Sequence, residues 1–194
     1  MREIQLGRGF VAQVDDVDFD TVSQLRWKAY KGKTTHYASA KDPETGKRVL
    51  MHRLILGVTG RWNFVDHADH NGLNNQRSNI RPCSASQNNA NSFGRQRNTP
   101  YIGVHFVDPE KRKTWKVPGR PFRASFNYQN RKIHAGDFAT AEEAAAERDR
   151  AILAYHGEFS NLNFPERLPQ YLANPWVKRD KLSRALAAAQ PHSA

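Results

Sequence analysis

The sequence predicts an α+β fold divided into two modules, and three observations support this prediction. Segments in which apolar and polar residues alternate, such as residues 122–128 and 131–138, are typical of β-strands. Two Ser/Thr-x-x-Glu/Gln sequences, at Ser84–Gln87 and Thr140–Glu143, are capping boxes that mark the start of a helix. The polar and basic stretch Ser92–Pro100 lies between these regions and separates the two modules.

The first module is expected to begin with short strands and to end in an asparagine-rich segment. Residues 1–50 alternate loosely between apolar and polar positions, and a short helix is expected around residues 19–27. Seven asparagines then fall between Asn71 and Asn91. Because asparagine side chains bond to neighbouring backbone groups and tolerate turn conformations, we interpret this segment as a structured loop or a site.

The second module is expected to be a small sheet with one packed helix. Its strand candidates are residues 101–107, 122–128 and 131–138. Gln129–Asn130 separates the last two and suits a tight hairpin. The helix that follows Thr140 is rich in alanine and runs to about His156, so it can approach a sheet closely. A further helix is expected in the basic tail, over residues 177–190.

The composition excludes several classes of protein. Hydrophobic residues make up 38% of the chain, and no apolar run approaches the roughly 20 residues of a membrane helix. Cys83 is the only cysteine, which excludes a disulfide framework and zinc sites built from paired cysteines. The N-terminal residues lack the apolar stretch of a signal peptide, so we expect a cytoplasmic protein without a membrane partner.

The charge of the chain indicates a polyanionic partner. Thirty Lys and Arg residues against nineteen Asp and Glu residues give a net charge of +11. Eight basic residues and no acidic residue lie between Lys111 and Gly136. Such a stretch fits nucleic acid, because neutralising phosphates releases counterions. A solvated basic face is the alternative that charge alone leaves open.

Asp66 and His67 together supply groups that phosphodiester hydrolysis needs. Water must lose a proton and the charge on the phosphate must be stabilised, which one imidazole and one divalent cation can achieve. A carboxylate accompanied by amide oxygens suits Mg²⁺ or Mn²⁺. Because successive side chains of a strand face opposite ways, the pair can serve one site only where a strand ends or bends. The glycine and asparagines that follow provide such an ending.

Several motifs around this pair resemble those of HNH endonucleases of the phage and intron homing type. They are Met51-His-Arg-Leu-Ile, Val65-Asp-His, Asn71-Gly-Leu-Asn-Asn, Ser78-Asn-Ile-Arg81 and Ser86-Gln-Asn-Asn-Ala-Asn. The resemblance covers about residues 48–95 and implies a ββα-metal fold, in which two strands flank a loop and a helix follows. It also implies a phage or a mobile element as the source. His52, in the first motif, is assigned a packing or orienting role.

By position, the resemblance implies roles for four residues of this segment. His67 matches the general base, and Asp66 matches the first metal ligand. Asn79, 12 residues after His67, matches the asparagine that orients the imidazole. Asn88, 21 residues after His67, matches a further metal ligand through its amide oxygen. Two other asparagines of the same helix could contact phosphate or replace Asn88 as the ligand, namely Asn89 and Asn91.

A second set of motifs resembles the apetala/ethylene-response-factor DNA-binding domain. They are Tyr101-Ile-Gly-Val-His, Phe122-Arg-Ala-Ser-Phe, Lys132-Ile-His-Ala-Gly-Asp-Phe138, Thr140-Ala-Glu-Glu-Ala-Ala and Asn161-Leu-Asn-Phe-Pro165. The resemblance implies a three-stranded antiparallel sheet whose face enters the major groove of DNA, with the helix packed behind it. Basic residues fall on the expected sheet and acidic residues on the expected helix, which fits this docking.

The DNA contacts expected from this sheet divide into two kinds. Phosphate contacts are expected from the cations Lys113, Arg123, Arg131 and Lys132. Such contacts fix the position of a protein on the duplex but carry no sequence information. Base contacts are expected from Arg120, His105, Asn127 or His134. His105, Asn127 and His134 stand at positions where the family reads bases with arginines and tryptophans, so the base preference of the family is not expected to carry over. A basic sheet that touches nothing is the alternative.

The sequence therefore predicts a two-module nuclease. Its expected segments are a β-rich leader (1–50), an HNH ββα-metal core (51–95), a linker (96–100), an ethylene-response-factor-type domain (101–165) and a basic tail (166–194). We expect a metal-dependent endonuclease that nicks duplex DNA with one Mg²⁺ or Mn²⁺ ion per active site, and that acts as a monomer. Two alternatives are a catalytically inactive DNA-binding regulator and a binder of structured RNA.

Overall fold

The computed structural model describes residues 1–93, 98–108 and 119–177. Short antiparallel strands alternate with helices along the chain, so the predicted α+β class is confirmed. The chain divides into two compact units, Met1–Ser92 and Phe93–Ala194. Among the helices of the described residues, none is long and apolar enough to cross a membrane.

The first unit is built from small antiparallel sheets and short helices. Its strands are β1 (Arg2–Gln5), β2 (Val11–Val14), β3 (Lys28–Lys31), β4 (His36–Lys41), β5 (Arg48–Leu50), β6 (Phe64–His67) and β7 (Ile80–Cys83). Its helices are α1 (Asp16–Ser23), α2 (Met51–Ile55) and α3 (Ala85–Ala90). The strands pair as β1–β2, β3–β4–β5 and β6–β7. Helix α3 packs against both β6 and β7.

One apolar core joins the elements of the first unit. Val14 of β2, Val22 of α1, Ala38 of β4 and Met51 of α2 are all inaccessible to solvent, and Ile80 of β7 packs with them. Burial of side chains of this size stabilises the fold by about 1.5–3 kcal/mol each. Strand β7, which borders the candidate site, is therefore anchored in the same core as the N-terminal segment.

Helix α1 begins and ends earlier than the helix predicted over residues 19–27. Asp16 and Asp18 occupy its first turn, where carboxylates interact favourably with the helix dipole. The chain leaves the helix after Ser23, and the buried indole of Trp27 donates a hydrogen bond to the Val22 carbonyl at 2.7 Å. This bond explains why Trp27 lies outside the helix, although it packs in the core.

The second unit contains a three-stranded sheet covered by one long helix. Its elements are β8 (Val104–Phe106), β9 (Phe122–Tyr128), β10 (Arg131–Phe138), α4 (Ala141–His156) and α5 (Leu168–Ala173). The strand order is β10–β9–β8, all antiparallel, and α4 packs against each strand.

Most elements of the second unit coincide with their predictions. Strands β9 and β10 have the predicted bounds, and the capping box of Thr140 with Glu143 opens α4 as predicted. Gln129 and Asn130 adopt φ values of 46° and 62°, which a tight two-residue hairpin requires.

Two predictions for this unit need correction or lie outside the described residues. Strand β8 is shorter than the predicted 101–107, because the chain turns before it at Gly103, where φ is 72°. Helix α5 was not predicted. The helix predicted over 177–190 falls outside the described residues from residue 178 onward.

A buried carboxylate closes the second unit at its C-terminal end. Asp149 of α4 is fully buried and pairs with Arg148 at 3.1 Å. Its two oxygens also accept the backbone N–H groups of Asn163 and Phe164 at 2.6 and 2.9 Å, and the Asn163 amide at 3.0 Å. Because a buried charge is costly unless it is paired and hydrogen-bonded, this network fixes the segment that follows α4.

Candidate functional site

The candidate site lies at the end of strand β6. In the pairing of β6 with β7, Asp66 lies opposite Arg81 and His67 opposite Ile80. Asp66 and His67 are buried, with 5% and 6% of their surface exposed. Immediately after them the chain turns, because the His70 N–H donates to the His67 carbonyl at 3.0 Å and His70 has a φ of 64°. The pair therefore occupies a strand end, which is where neighbouring side chains can serve one site.

The Asp66 carboxylate is held by one guanidinium and one amide. Arg81 donates from Nε and Nη2 to Oδ2 at 3.0 and 2.9 Å. Nδ2 of Asn91 lies 2.9 Å from Oδ1, 3.0 Å from Oδ2 and 3.0 Å from the His67 carbonyl oxygen. Asn91 is itself buried, and Arg81 is only partly exposed. Charge-assisted bonds of this kind fix the carboxylate tightly, so Asp66 is preorganised.

His67 lies in an aromatic cluster formed with His52 and Tyr37. The centroids of the His67 and His52 rings are 4.9 Å apart and the rings are perpendicular, while the Tyr37 ring lies 5.8 Å from His67. Burial lowers the pKa of His67, and the adjacent side chains of Asn75 and Asp69 oppose this shift.

Within the part of the chain that the structure describes, Nε2 of His67 is buried without a hydrogen-bond partner. An unsatisfied buried polar atom costs about 1–3 kcal/mol, so its presence calls for an explanation. The side chain of Asn75 lies beside this imidazole, and because Nε2 is closed to solvent, a water molecule or a substrate reaches it only if the surrounding side chains move.

His52 forms the inner wall of this cluster. It is buried on helix α2, and its ring lies 5.6 Å from Tyr37. Burial first, and then the neighbouring His67 and Arg53, lower the pKa of His52 to about 3. His52 is therefore neutral near neutral pH and presents an uncharged ring to His67, which agrees with the packing or orienting role predicted for it.

Asn79 fixes the backbone that follows His67. Its carbonyl oxygen accepts the Ala68 N–H at 2.9 Å, and its side-chain oxygen accepts the Asp69 N–H at 3.0 Å. Its amide nitrogen donates to the Asp69 carboxylate at 2.9 Å and to the Asn74 carbonyl at 2.8 Å. Asn79 thus bonds to the backbone that follows His67, and among the described residues no hydrogen bond between the Asn79 and His67 side chains is found.

The N-terminal segment holds the other side of the same loop. The Arg77 guanidinium donates to both oxygens of Asp18 at 2.8 and 2.7 Å, and its backbone N–H donates to Asp15 at 2.7 Å. Gln13 of β2 exchanges backbone bonds with the loop on both sides of Asn74, accepting at 2.8 Å and donating at 2.9 Å. The loop between β6 and β7 is therefore fixed from two sides.

Asn88 is placed differently from the position-based expectation. It is half-buried on α3, and its backbone N–H donates to the Ser84 carbonyl at 3.0 Å. Among the described residues no hydrogen bond of its side chain is found, whereas Asn91, one turn further along the helix, reaches Asp66. The structure thus brings together Asp66, His67 and Asn91, with Asn79 behind them.

Sequence analysis assigned no role to Arg81, Tyr37 or Arg77. Arg81 belongs to a quoted motif, but only the register of β6 with β7 places it opposite Asp66. Tyr37 and Arg77 act across long sequence separations, for which the sequence carries no local signal.

The donor chemistry of the site fits a small divalent cation with few protein ligands. Among the described residues no group of three or more His, Cys, Asp or Glu side chains is arranged to hold a metal. The Asp66 carboxylate and the amide oxygen of a neighbouring asparagine would supply a sparse set of hard oxygen donors to an ion that keeps most of its waters, but Asn91 presents its amide nitrogen to Asp66 here and would have to turn its oxygen towards the ion. Binding such an ion requires Arg81 to share or release Oδ2 of Asp66.

The outer face of the second unit's sheet gathers most of the residues predicted to contact DNA. Side chains facing α4 include Ala124 and Phe126, so their neighbours on β9 face the other way. The strand pairing then puts five predicted contact residues on this outer face, namely His105, Arg123, Asn127, Lys132 and His134. Asp137 lies among them and pairs with Arg123 at 2.9 Å and with His134 at 3.3 Å.

Three predicted contact residues are not part of this group. Arg131 lies opposite Tyr128, whose ring packs against Tyr155 of α4, so Arg131 belongs to the helix side of the sheet. Arg120 precedes β9 and lines a hollow beside Glu147 of α4. Lys113 lies outside the described residues.

Comparison with known proteins identifies the family to which the chain belongs. No protein-family model matches the sequence, and no solved structure matches the chain. The chain is 30% identical over 162 residues to a protein of Acanthamoeba polyphaga mimivirus that is named an uncharacterized HNH endonuclease. The match covers 81% of this chain and 76% of the viral protein, so it extends beyond the first unit. The class of enzyme is therefore a nuclease, and the chain belongs to the HNH endonuclease family.

Proposed function

We propose that this protein is a metal-dependent endonuclease that nicks one strand of duplex DNA. The observation that carries the proposal is the Asp66–His67 pair at the end of β6, with the carboxylate fixed by Arg81 and Asn91. The order of β6, loop, β7 and α3 supports a ββα-metal unit. Membership of the HNH endonuclease family supports DNA as the substrate.

In this proposal His67 is the general base and Asp66 holds the ion. Burial lowers the pKa of His67 and so favours the neutral imidazole, the form that can accept the proton of the attacking water. Asp66 would hold one Mg²⁺ or Mn²⁺ ion together with Asn91 or Asn88. When bound, such an ion supplies Lewis-acid stabilisation of the charge on the phosphate and the departing oxygen. Asn79 holds the backbone after His67 and so positions the base.

The second unit is proposed to hold the duplex near this site. Its three-stranded sheet backed by α4 supports the assignment to the ethylene-response-factor type of DNA-binding domain. The outer face carries Lys132 and Arg123, while the acidic residues Glu142, Glu143 and Glu147 lie on α4. This separation of charge favours approach of DNA to the sheet rather than to the helix. A monomer with one active site nicks, and a double-strand break needs two such sites.

The proposal is tested with supercoiled plasmid in the presence of Mg²⁺ or Mn²⁺. The parent protein should convert supercoiled plasmid to the nicked form, and chelation should stop the reaction. His67→Ala should lose at least about 100-fold in rate with nearly unchanged DNA affinity, because the base acts in the transition state.

The neighbouring histidine provides a matched control. His70→Asn keeps a residue that tolerates the positive φ, and it should leave nicking intact. If His67→Ala cuts as fast as the parent, the assigned base is wrong. If the parent binds DNA but never cuts it, the protein is a DNA-binding regulator instead.

A further inference from the structure

The sheet β3–β4–β5 of the first unit carries a basic face that no motif singled out. Its three strands contain four cations and no acidic residue. The cations are Lys28, Lys31, Lys41 and Arg48. The next carboxylates along the chain follow in the turn after β4, where Asp42 accepts the backbone N–H groups of Glu44 and Thr45 at 3.0 and 2.7 Å.

Strand register decides which of these cations share one face of the sheet. Ala38 and Ala40 of β4 are buried in the core, so the alternate residues of this strand point away from it. Lys28 lies opposite Ser39, and Arg48 lies opposite Lys41, which places all three cations on the outer side. We define this surface, formed by Lys28, Tyr30, Tyr37, Lys41 and Arg48, as the basic face.

Two aromatic contacts connect the basic face to the candidate active site. The Arg48 guanidinium lies over the Tyr30 ring at 4.3 Å, and Tyr30 is 40% exposed. Tyr30 lies directly opposite Tyr37 on the neighbouring strand. The Cβ atoms of residues paired in this way are typically about 5 Å apart. The Tyr37 ring in turn lies 5.8 Å from the His67 ring. Arg48, Tyr30 and Tyr37 thus lie on one side of the sheet, and Tyr37 is the member that packs near His67.

We infer that the basic face binds the phosphate backbone of duplex DNA beside the position where the strand is cut. The inference rests on the proposed function, because it takes the Asp66–His67 pair as the place of cutting. Duplex DNA presents one phosphate per about 3.4 Å of axis on each strand, so a strand that is cut at His67 carries further phosphates on both sides of the cut. The cations of these strands, which contain no acidic residue, complement the negative charge of the phosphates. The exposed Tyr30 ring under the Arg48 guanidinium offers a flat surface to the sugar–phosphate chain.

This surface gives the first unit its own contact with DNA. The second unit is then not the sole source of affinity for DNA. A solvated basic face that makes no contact is the competing outcome, and salt dependence distinguishes the two.

The test uses the full chain with Lys41→Gln and Arg48→Gln combined. Its control combines Arg8→Gln with Arg61→Gln, two exposed arginines of the same unit that lie in turns outside the sheet β3–β4–β5. Both double variants lower the net charge by two, so a general charge effect cancels. Binding to a short duplex is measured in the His67→Ala background, as the slope of log affinity against log salt concentration.

We expect the basic-face variant to lose about 1.8 from this slope, at about 0.9 for each phosphate contact, while the control keeps the parent slope. In the background that retains His67, the DNA concentration for half-maximal nicking should rise, and the rate at saturating DNA should stay within about twofold. A slope and half-saturation equal to those of the control would overturn the inference. Failure of the proposed function would appear separately, as nicking that does not depend on His67, because the binding measurement requires no cleavage.

Discussion

Replacement of single asparagines on helix α3 decides between the position-based and the structure-based assignment of the site. The amide nitrogen of Asn91 lies within 3.0 Å of both Asp66 oxygens and of the His67 carbonyl. Asn91→Ala removes a hydrogen bond to a charged group, worth about 1.5–3 kcal/mol, and one to a neutral carbonyl, worth about 0.5–1.5 kcal/mol. Asp66 keeps its bonds to Arg81, so the carboxylate is not left unpaired.

We therefore expect Asn91→Ala to lower the free energy of unfolding of the first unit by about 2–4 kcal/mol. Asn88→Ala should change it by no more than about 0.5 kcal/mol, because its half-buried side chain makes no hydrogen bond among the described residues. Asn89→Ala is the matched control. Because this position of the same helix is exposed, its replacement reports only how the helix propensity of alanine changes the free energy of unfolding.

The assay combines urea unfolding with titration of Mn²⁺ by calorimetry. If Asn91 completes the metal site, Asn91→Ala weakens Mn²⁺ binding while Asn88→Ala leaves it unchanged. If the spacing from His67 gives the ligand correctly, Asn88→Ala weakens Mn²⁺ binding and leaves stability almost intact. An Asn91→Ala variant as stable as the Asn89→Ala control would refute the reasoning from the Asp66 network.

Three further predictions concern other parts of the molecule. Lys132→Ala should lower the salt slope of duplex binding by about 0.9, whereas Arg131→Ala should leave it unchanged because Arg131 lies on the helix side of the sheet. A Cβ on Gly72 would lie 2.6 Å from the Tyr37 ring, so Gly72→Ala should displace the loop and lower the single-turnover nicking rate by about 100-fold, with duplex affinity unchanged. The pKa of His52 is lowered to about 3 in the folded protein, so the unfolded chain takes up the proton first. Stability should then fall as the pH decreases from about 6.5 towards 3, and urea unfolding of His52→Gln at stepped pH should show a weaker decline.

Local signals explain why the second unit could be predicted almost element by element. The alternation that indicates β9 and β10, the hairpin between them and the capping box at Thr140 all involve residues within a few positions of one another. Such signals need no knowledge of the tertiary fold. The face on which each side chain lies also follows from alternation, which separates Arg131 from Lys132 once the register with β9 is known.

Local signals could not choose between the two asparagines proposed to complete a metal site. Positions 88 and 91 are three residues apart, and residues with this spacing lie on nearly the same face of a helix. The spacing from His67 therefore indicates a face of α3, but it does not indicate which asparagine on that face reaches Asp66. That choice depends on how α3 packs against β6 and β7, which only the fold provides.

The N-terminal segment, which the sequence suggested was a leader, supplies part of the support of the active-site loop. Asp15 and Asp18 bind Arg77, and Gln13 bonds to the loop on both sides of Asn74, across about 60 residues of sequence. Without these partners the Arg77 guanidinium and the loop backbone would have to find their hydrogen bonds in water. Since Asn79 and the loop together fix the chain after His67, loss of the N-terminal partners would loosen His67, the proposed base. The smallest unit with an ordered candidate site therefore includes β2 and α1, and extends well beyond the residues that carry the HNH motifs.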